Sequence, residues 1–494
     1  MKTKSGLWKE KKQEKLILDL DDRDDRVIRL TRFSGRLADH YLTQDGKKLY
    51  YMTRLEKSTD LCVMNMEDRS IKIVAKDVYG SIYPTRDDKH LFLLSGKGIS
   101  RLSTSKDKIE NIRFSAEFEH KPSAEREYIF NHVWKQVDEK FYVKDIHGVD
   151  WDGYRKTYER FLPHIDNNFD FQELLSEMLG ELNGSHTGAR YYYRSGFNCG
   201  HLGIFADESH EKDGIRIKEI IKGGSIYTQL PDIKEGDIIK AIDGVQITTG
   251  TDWNLLLKGK AGKKVVLSIS KGGKKTEDFY IEPAYSDMSQ MYNRWVRSKE
   301  ETVRRLSGGK VGYVHVKGMD SDSFRKVYSD LLGKYRTCEA VIVDTRHNGG
   351  GWLHDDLATL LSGSGYIRFE PRGQYIGTEP YNKWTKPSCV LIGEDNYSDA
   401  SGFPYVYKTL GIGKLIGAPV PGTMTAVWWE RQIDPTIIFG IPQVGAIGVK
   451  EGKYLENMQV EPDILIYNDP ASVLRGEDKQ LEKAVEEMMK TINR

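Results

Sequence analysis

Cysteine is scarce in this 494-residue chain. Its four copies, Cys62, Cys199, Cys338 and Cys389, are scattered, with no CxxC pair and no His-rich cluster nearby. That argues against a disulfide framework and against a structural zinc site, and no metal or organic cofactor is implied. Cys338 and Cys389 sit in or beside apolar runs and read as buried thiols. No window holds the roughly 20 consecutive apolar residues of a membrane span. Charge of one sign is not in excess either. The 74 Lys and Arg face 73 Asp and Glu, which removes the electrostatic case for nucleic acid or an acidic membrane surface. The opening stretch, MKTKSGLWKEKKQEK, has no apolar signal core. A cytoplasmic location is the expectation, or a periplasmic one if the natural start lies upstream of Met1.

What the chain does have is length and zoned patterning. It is too long for one core, so several domains are expected. After an N-terminal segment (1–24), residues 25–113 show short alternating runs such as LYYMTR, LCVMNM, IKIVAK, LFLLSG and ISRLST, with QDGKK and RDDKH as turns. DGKKLYYM and RDDKHLFLL repeat one plan at a spacing of about 40 residues, near the period of a β-propeller blade. Only about two blades fit, where closed propellers have at least about 4. The zone therefore reads as part of a propeller, either of a longer protein or with a partner over its open edge. A small antiparallel sheet is the alternative.

Residues 114–199 change to helical spacing. Ser123 is expected to cap a helix with Glu125 and Glu127 in its first turn, and Ile129, Val133, Trp134, Val137 and Phe141 mark its apolar face. A second helix opens with the capping-box-like spacing of Asp170 and Glu173. It ends at ELNGSHTGAR (181–190), where glycine and asparagine allow a sharp turn and His186 stands at the mouth of a rigid element. Residues 200–285 are β-rich. HLGIF, GIRIKEII, GGSI and IKEGDIIKAIDGVQI together resemble a PDZ domain. In that resemblance Leu202, Gly203 and Ile204 belong to the loop and strand that receive a peptide carboxylate on backbone N–H groups.

Residues 286–494 read as α/β. VGYVHV, AVIVDTR and CVLIGE are short apolar strands, and DKQLEKAVEEMMKTI is an amphipathic closing helix. Ligands of open α/β sheets bind beyond the carboxyl ends of the strands, and two loops there are chemically loaded, DTRHNGGGW (344–352) and EDNYSDASGFPY (394–405). Ser398 follows a strand and precedes a helix, where unpaired N–H groups and a positive dipole end gather. The backbone N–H of Asp399 then suits an oxyanion, and a second donor is sought among Gly349, Gly350 and Gly351. Plain helix capping is the alternative role for Ser398. The site lacks the flanking glycines of a G-x-S-x-G elbow.

A helix ending in ELNGSHTG, the PDZ-like segment, VDTRHNGGG, NYSDA and YLENMQVEPD, in this order, resemble the catalytic half of the tricorn protease family. The resemblance implies a multidomain α/β fold with all-β modules, its peptidase core similar to the carboxyl-terminal-processing and crotonase-like folds. It implies a serine peptidase acting on short, unfolded peptides and assembling as a ring-like homo-hexamer. Position by position it suggests Ser398 as nucleophile, His186 as general base, Ser185 as its support and Glu456 as orienting carboxylate. Glu370 is the acidic candidate for selecting basic residues before the scissile bond, against the alternative of a solvated Glu beside Arg368 and Arg372. Arg190 and Arg194 are alternative anchors for a peptide carboxylate. Carboxyl-terminal-processing proteases also join a PDZ domain to such a core but use a Ser–Lys pair. Here the corresponding turn, PVPGTMTAV, has Thr423 where lysine is expected, and no lysine follows until Lys450. A non-catalytic PDZ scaffold for binding peptides is the remaining reading.

Overall fold

The computed structural model describes residues 20–31, 35–54, 58–95, 98–193 and 198–493. They divide into two compact units, one ending at His120 and one beginning at Lys121. The first holds two four-stranded antiparallel meanders. One runs through Leu37–Leu42, Lys48–Arg54, Thr59–Asn65 and Ile71–Ala75, the other through Ser81–Pro84, His90–Ser95, Gly98–Ser103 and Lys108–Ile112. The expected repeat is a repeat of chemistry. In the first meander Thr43 Oγ1 donates to Asp45 at 2.7 Å and the Lys47 amide closes the turn; in the second, Thr85 and Lys89 do the same on Asp87. Such side-chain-to-backbone turns set the strand register on either side. Tyr50, Met52, Leu61 and Val63 share one core with Ile82, Leu91, Leu93 and Leu102.

The second unit begins with helices Pro122–Lys140, Trp151–Glu159 and Asn168–Gly180. Two expected caps are corrected. Ser123 lies inside the first helix, which starts instead at Pro122, a residue whose fixed φ and missing N–H suit the first turn. Asn167 caps the third helix by accepting from the Asp170 amide, so Asp170 is within the helix rather than at its cap. The expected face is buried: Ile129, Val133 and Val137 pack with Phe171, Leu175, Met178 and Leu179, and also with Phe439 and Ile441 from far down the chain. Those two belong to the hairpin Thr425–Arg431 and Ile437–Gly445, which adds Ala189–Tyr191 as its third strand. The His186 loop is thereby fixed to the C-terminal half of the molecule.

An antiparallel sheet follows, in the order Ile204–Ala206, Ile215–Ile220, Ile238–Ile242, Val265–Ser270, Thr276–Ile281, with its own isoleucine-rich core. The remaining domain is built on a parallel sheet of Val311–His315, Ala340–Asp344, Ser388–Ile392, Lys414–Gly417 and Ile464–Leu465, in that order. Its first three strands are buried at every position, as strands covered on both faces must be. Val341, Val343 and Val390 point to one core, shared with helices His354–Leu361 and Asp399–Thr409. Ile342, Cys389 and Leu391 alternate to the other, shared with Met288–Ser307 and the amphipathic Lys479–Ile492. Cys338 and Cys389 are buried as expected. Among the described residues no helix is long and apolar enough to cross a membrane. The carboxyl ends of Ala340–Asp344 and Ser388–Ile392 lead directly into the two loaded loops.

Candidate active site

Ser398 lies between strand Ser388–Ile392 and helix Asp399–Thr409, with φ 56° and ψ −125°. A non-glycine residue there stores strain on the order of 1–3 kcal/mol, held by its surroundings. Buried Asn396 provides part of the restraint: its amide group donates to Thr345 Oγ1 (2.9 Å) and to the Ala400 carbonyl (3.1 Å). The Ser398 amide donates to Thr423 Oγ1 at 2.8 Å. The Ser398 hydroxyl makes no capping hydrogen bond, so the capping role is not the one it fills. The sharp turn forms without flanking glycines because the small residue comes from the other loop. A Cβ built on Gly350 would lie 2.5 Å from Ser398 Cβ and 2.8 Å from the Tyr397 carbonyl.

The loop after Ala340–Asp344 is held by Asn348, fully buried, whose side chain donates to the Val316 carbonyl (2.8 Å) and accepts from the Gly350 amide (2.9 Å). Gly350 N–H is therefore committed. Among the described residues the N–H groups of Gly349, Gly351 and Asp399 donate to no protein acceptor. The Asp399 carboxylate ties the two loops together. It accepts from the Leu353 and His354 amides at the start of helix His354–Leu361 and pairs with His354 Nδ1. That contact holds the His354 imidazole above its ordinary pKa. A Cβ at Gly350 would also come within 3.1 Å of Asp399 N, and the residue has φ +99°. If Ser398 and the Asp399 N–H form a reacting centre, Gly350→Ala is expected to lower kcat by roughly a hundredfold or more, the scale of losing one oxyanion donor, while thermal unfolding shows the chain still folded. Wild-type kcat in that variant would contradict this geometry.

His186 adopts φ 65° and is buried with 7% exposure. Its amide donates to Tyr397 Oη at 2.7 Å, and the two rings lie 4.7 Å apart. Nδ1 faces two hydroxyls, Ser185 Oγ at 2.7 Å and Thr425 Oγ1 at 3.1 Å. With Nδ1–H donated to them, Nε2 keeps its lone pair. Among the described residues no carboxylate bonds to the ring. Glu456 Oε1 accepts from the Ser185 backbone N–H at 2.5 Å, so it orients the loop rather than the imidazole. Its Oε2 is buried without a partner among the described residues, and burial raises its pKa. Burial alone pulls His186 down to about 4.

A cavity of about 530 Å³ is lined by His186, Ser398, Asp399, Gly349, Gly350 and Gly351, together with Arg190, Tyr397, Trp352 and the hairpin residues from Met424 to Trp429. It thus joins both halves of the sequence-derived set, while Ser185 and Glu456 stand behind His186. Thr425 and Tyr397 carry no sequence signal of their place beside His186: PVPGTMTAV points only to a missing lysine, and NYSDA only to its serine. Lys450 does not line the cavity and donates to the Thr409 carbonyl. Glu370 is outside it too, paired with Arg368. Arg194 lies outside the described residues. In the PDZ-like sheet Leu202 is buried and the Gly203 amide, expected to meet a peptide carboxylate, donates to Asp287 Oδ2 at 3.2 Å. Ile204 pairs with Ile220 at the sheet edge.

Comparison with known proteins finds three family matches along the chain. Residues 122–180 match the family described as the tricorn protease C1 domain, 200–286 the tricorn protease PDZ domain, and 310–466 peptidase family S41. Tricorn protease homolog 1 of Streptomyces coelicolor is 29% identical over 380 residues, 74% of this chain and 35% of the relative. The tricorn protease of Thermoplasma acidophilum is 24% identical over 374 residues, again 74% of this chain and 35% of the relative. The crystal structure of the tricorn protease superposes with a TM-score of 0.79 at 19% identity, covering 92% of this chain and 47% of that one. This chain spans about a third of the length of these two curated relatives. Segments similar to the tricorn protease C1 domain, the tricorn protease PDZ domain and peptidase family S41 thus follow one another along the sequence.

Proposed function

We propose that the chain is a serine peptidase that hydrolyses short, unfolded peptides through an acyl-enzyme on Ser398. The observation that carries this reading is the single cavity lined by Ser398, His186 and the amide-rich loop. A serine hydroxyl is a weak nucleophile until a base takes its proton. His186 Nε2 accepts it as Oγ attacks the peptide carbonyl carbon, and the resulting oxyanion is met by the N–H of Asp399 and of Gly349 or Gly351. Collapse breaks the C–N bond, and His186 returns the proton to the leaving amine. Water then attacks the acyl carbon, losing a proton to His186, and the second collapse breaks the ester bond to Ser398 Oγ as His186 returns that proton to it. Ser185 and Thr425 hold the imidazole tautomer, the task a carboxylate performs in the Ser-His-Asp arrangement. Glu456 positions Ser185. The histidine-based reading is preferred over a Ser–Lys pair because Thr423, where that lysine would stand, bonds the Ser398 amide instead.

The paired meanders with the same Thr–Asp turn support reading residues 25–113 as blades of a β-propeller, ahead of a helical subdomain (114–199), a PDZ domain (200–285) and the catalytic α/β subdomain (286–494). Self-association into a ring belongs to the same reading, on the family resemblance, and light scattering tests it. For the chemistry, a fluorophosphonate probe is expected to label Ser398, read by peptide mass mapping; modification elsewhere with Ser398 untouched would sink the assignment. The pH dependence has a definite sign. A histidine whose folded pKa is about 4 stays neutral, and competent as a base, down to that pH. The acid limb of kcat/KM, which reports the free enzyme, is therefore expected well below pH 6. Stability should fall as pH drops from about 6.5 towards 4, because the unfolded chain binds a proton there that the folded chain does not.

A further inference from the structure

One wall of the cavity carries a cation that the proposed chemistry does not use. In the three-stranded sheet Trp429 stands opposite Gly440, and Ile438 stands opposite Arg190. Gly440 is where the register needs the least side chain. A Cβ there would lie 2.8 Å from Cζ3 of the Trp429 indole and 2.3 Å from the His186 carbonyl. With nothing in that space, the indole lies across Gly440 and reaches Arg190, whose guanidinium carbon sits 4.0 Å from the ring centroid. Stacking of this kind holds a guanidinium through its face and leaves its in-plane N–H donors available. The Arg190 backbone pairs with Ile438 in the sheet, but among the described residues no group accepts a hydrogen bond from its guanidinium or forms an ion pair with it.

The rest of the lining sharpens the contrast. Met424, Val427, Val444 and Ala446 are apolar, and burial keeps His186 uncharged at neutral pH. The one acidic side chain in the lining, Asp399, is already engaged by His354 and two amides. Glu370 is outside, paired with Arg368. The cavity therefore offers an incoming peptide an apolar surface and one oriented, unpaired positive charge, and no free carboxylate. A planar guanidinium matches a carboxylate by two parallel N–H···O bonds, which ties charge to geometry.

We propose that Arg190 is a specificity residue that takes a carboxylate of the peptide, either its free C-terminus or an Asp or Glu side chain close to the scissile bond. This rests on the peptidase reading of the same cavity. The test uses two matched pairs of internally quenched apolar peptides. One pair has a C-terminal carboxylate or its amide; the other, amidated throughout, has Glu or Gln scanned through the residues flanking the cleaved bond. Wild-type protein is expected to favour the carboxylate member of at least one pair by about tenfold to a hundredfold in kcat/KM, mainly through KM, as a charge-assisted bidentate contact requires. The pair that discriminates identifies the source of the carboxylate. Arg190→Met should bring that ratio to near one, and Arg190→Lys, which keeps the charge without the fork, should restore part of it. Equal rates within both pairs for wild type, or a preference that survives in Arg190→Met, would overturn the proposal. Fluorophosphonate labelling of Ser398 on the same wild-type sample separates the two levels. Labelling without carboxylate preference removes the role of Arg190 alone, whereas absence of both labelling and cleavage removes the peptidase reading and this inference with it.

Discussion

Replacing Ser398 with alanine is expected to abolish fluorophosphonate labelling and to lower peptide hydrolysis by roughly 10⁴- to 10⁶-fold, the range seen when members of a nucleophile–base unit are removed. His186→Ala should cost a similar amount. The double variant should be hardly worse than either single one, because nucleophile and base contribute to one step and their losses do not add. The residue at 398 has an unusual backbone, but alanine keeps the same Cβ against Gly350, so the fold should tolerate it and circular dichroism should match wild type. Ser185→Ala is the instructive contrast. Thr425 Oγ1 also reaches His186 Nδ1, at 3.1 Å, so the tautomer keeps one partner and the loss should be far smaller. Turnover that survives His186→Ala would remove histidine as the base. A loss in Ser185→Ala as large as in His186→Ala would mean that Thr425 cannot hold the ring.

How much of this was legible beforehand depends on the range of the interaction concerned. The five β-runs of the first unit, the helix before ELNGSHTG and the apolar strands before the two loaded loops are local patterns, and each forms the element its periodicity indicates. His186 and Ser398 carried local marks as well, glycine-punctuated turns at the ends of regular elements. The helix caps were harder, since Ser123 and Asp170 have the right chemistry but lie one and two residues past the residues that begin the helices. What no local pattern could disclose was the set of partners chosen by long-range register. Thr425 meets the imidazole because Thr425–Arg431 is bridged by Ile437–Gly445 to a strand three residues past His186. Gly350 relieves the Ser398 turn from a separate loop, so a search for glycines on either side of the serine misses it. Asp287 reaches the Gly203 amide from the start of a helix beyond the PDZ-like sheet. The Gly203 loop was readable from its motif; the carboxylate already sitting on it was not.

The second large effect concerns stability, and it lies directly beneath the glycine loop. Arg346 is 5% exposed in its side chain, between Asp344 at 0% and Asp478 at 5%. It donates to both oxygens of each carboxylate over 2.7–3.1 Å and to Gln480 Oε1 at 2.9 Å, while Tyr313 and Lys299 complete the acids' hydrogen bonding. The guanidinium holds both carboxyls below the usual carboxylate range despite their burial. Arg346→Met fills much of the same volume but leaves two acids without their shared cation. Breaking a buried ion pair from one side costs about 3–5 kcal/mol, so the urea midpoint should fall sharply with little change in m. The pH dependence distinguishes this from a simple packing loss. In wild type, the stability from the depressed Asp344 and Asp478 pKa values is present above about pH 4 and is lost as pH falls through their folded values. In the variant the same carboxyls are buried with less compensation, so their folded pKa values rise and protonation relieves them. The deficit of Arg346→Met relative to wild type should therefore be largest near neutral pH and shrink on acidification. Adding Asp344→Asn to Arg346→Met should recover part of it, since one uncompensated charge is removed. A deficit independent of pH, or no recovery in the double variant, would show that Arg346 stabilises the loop by shape alone.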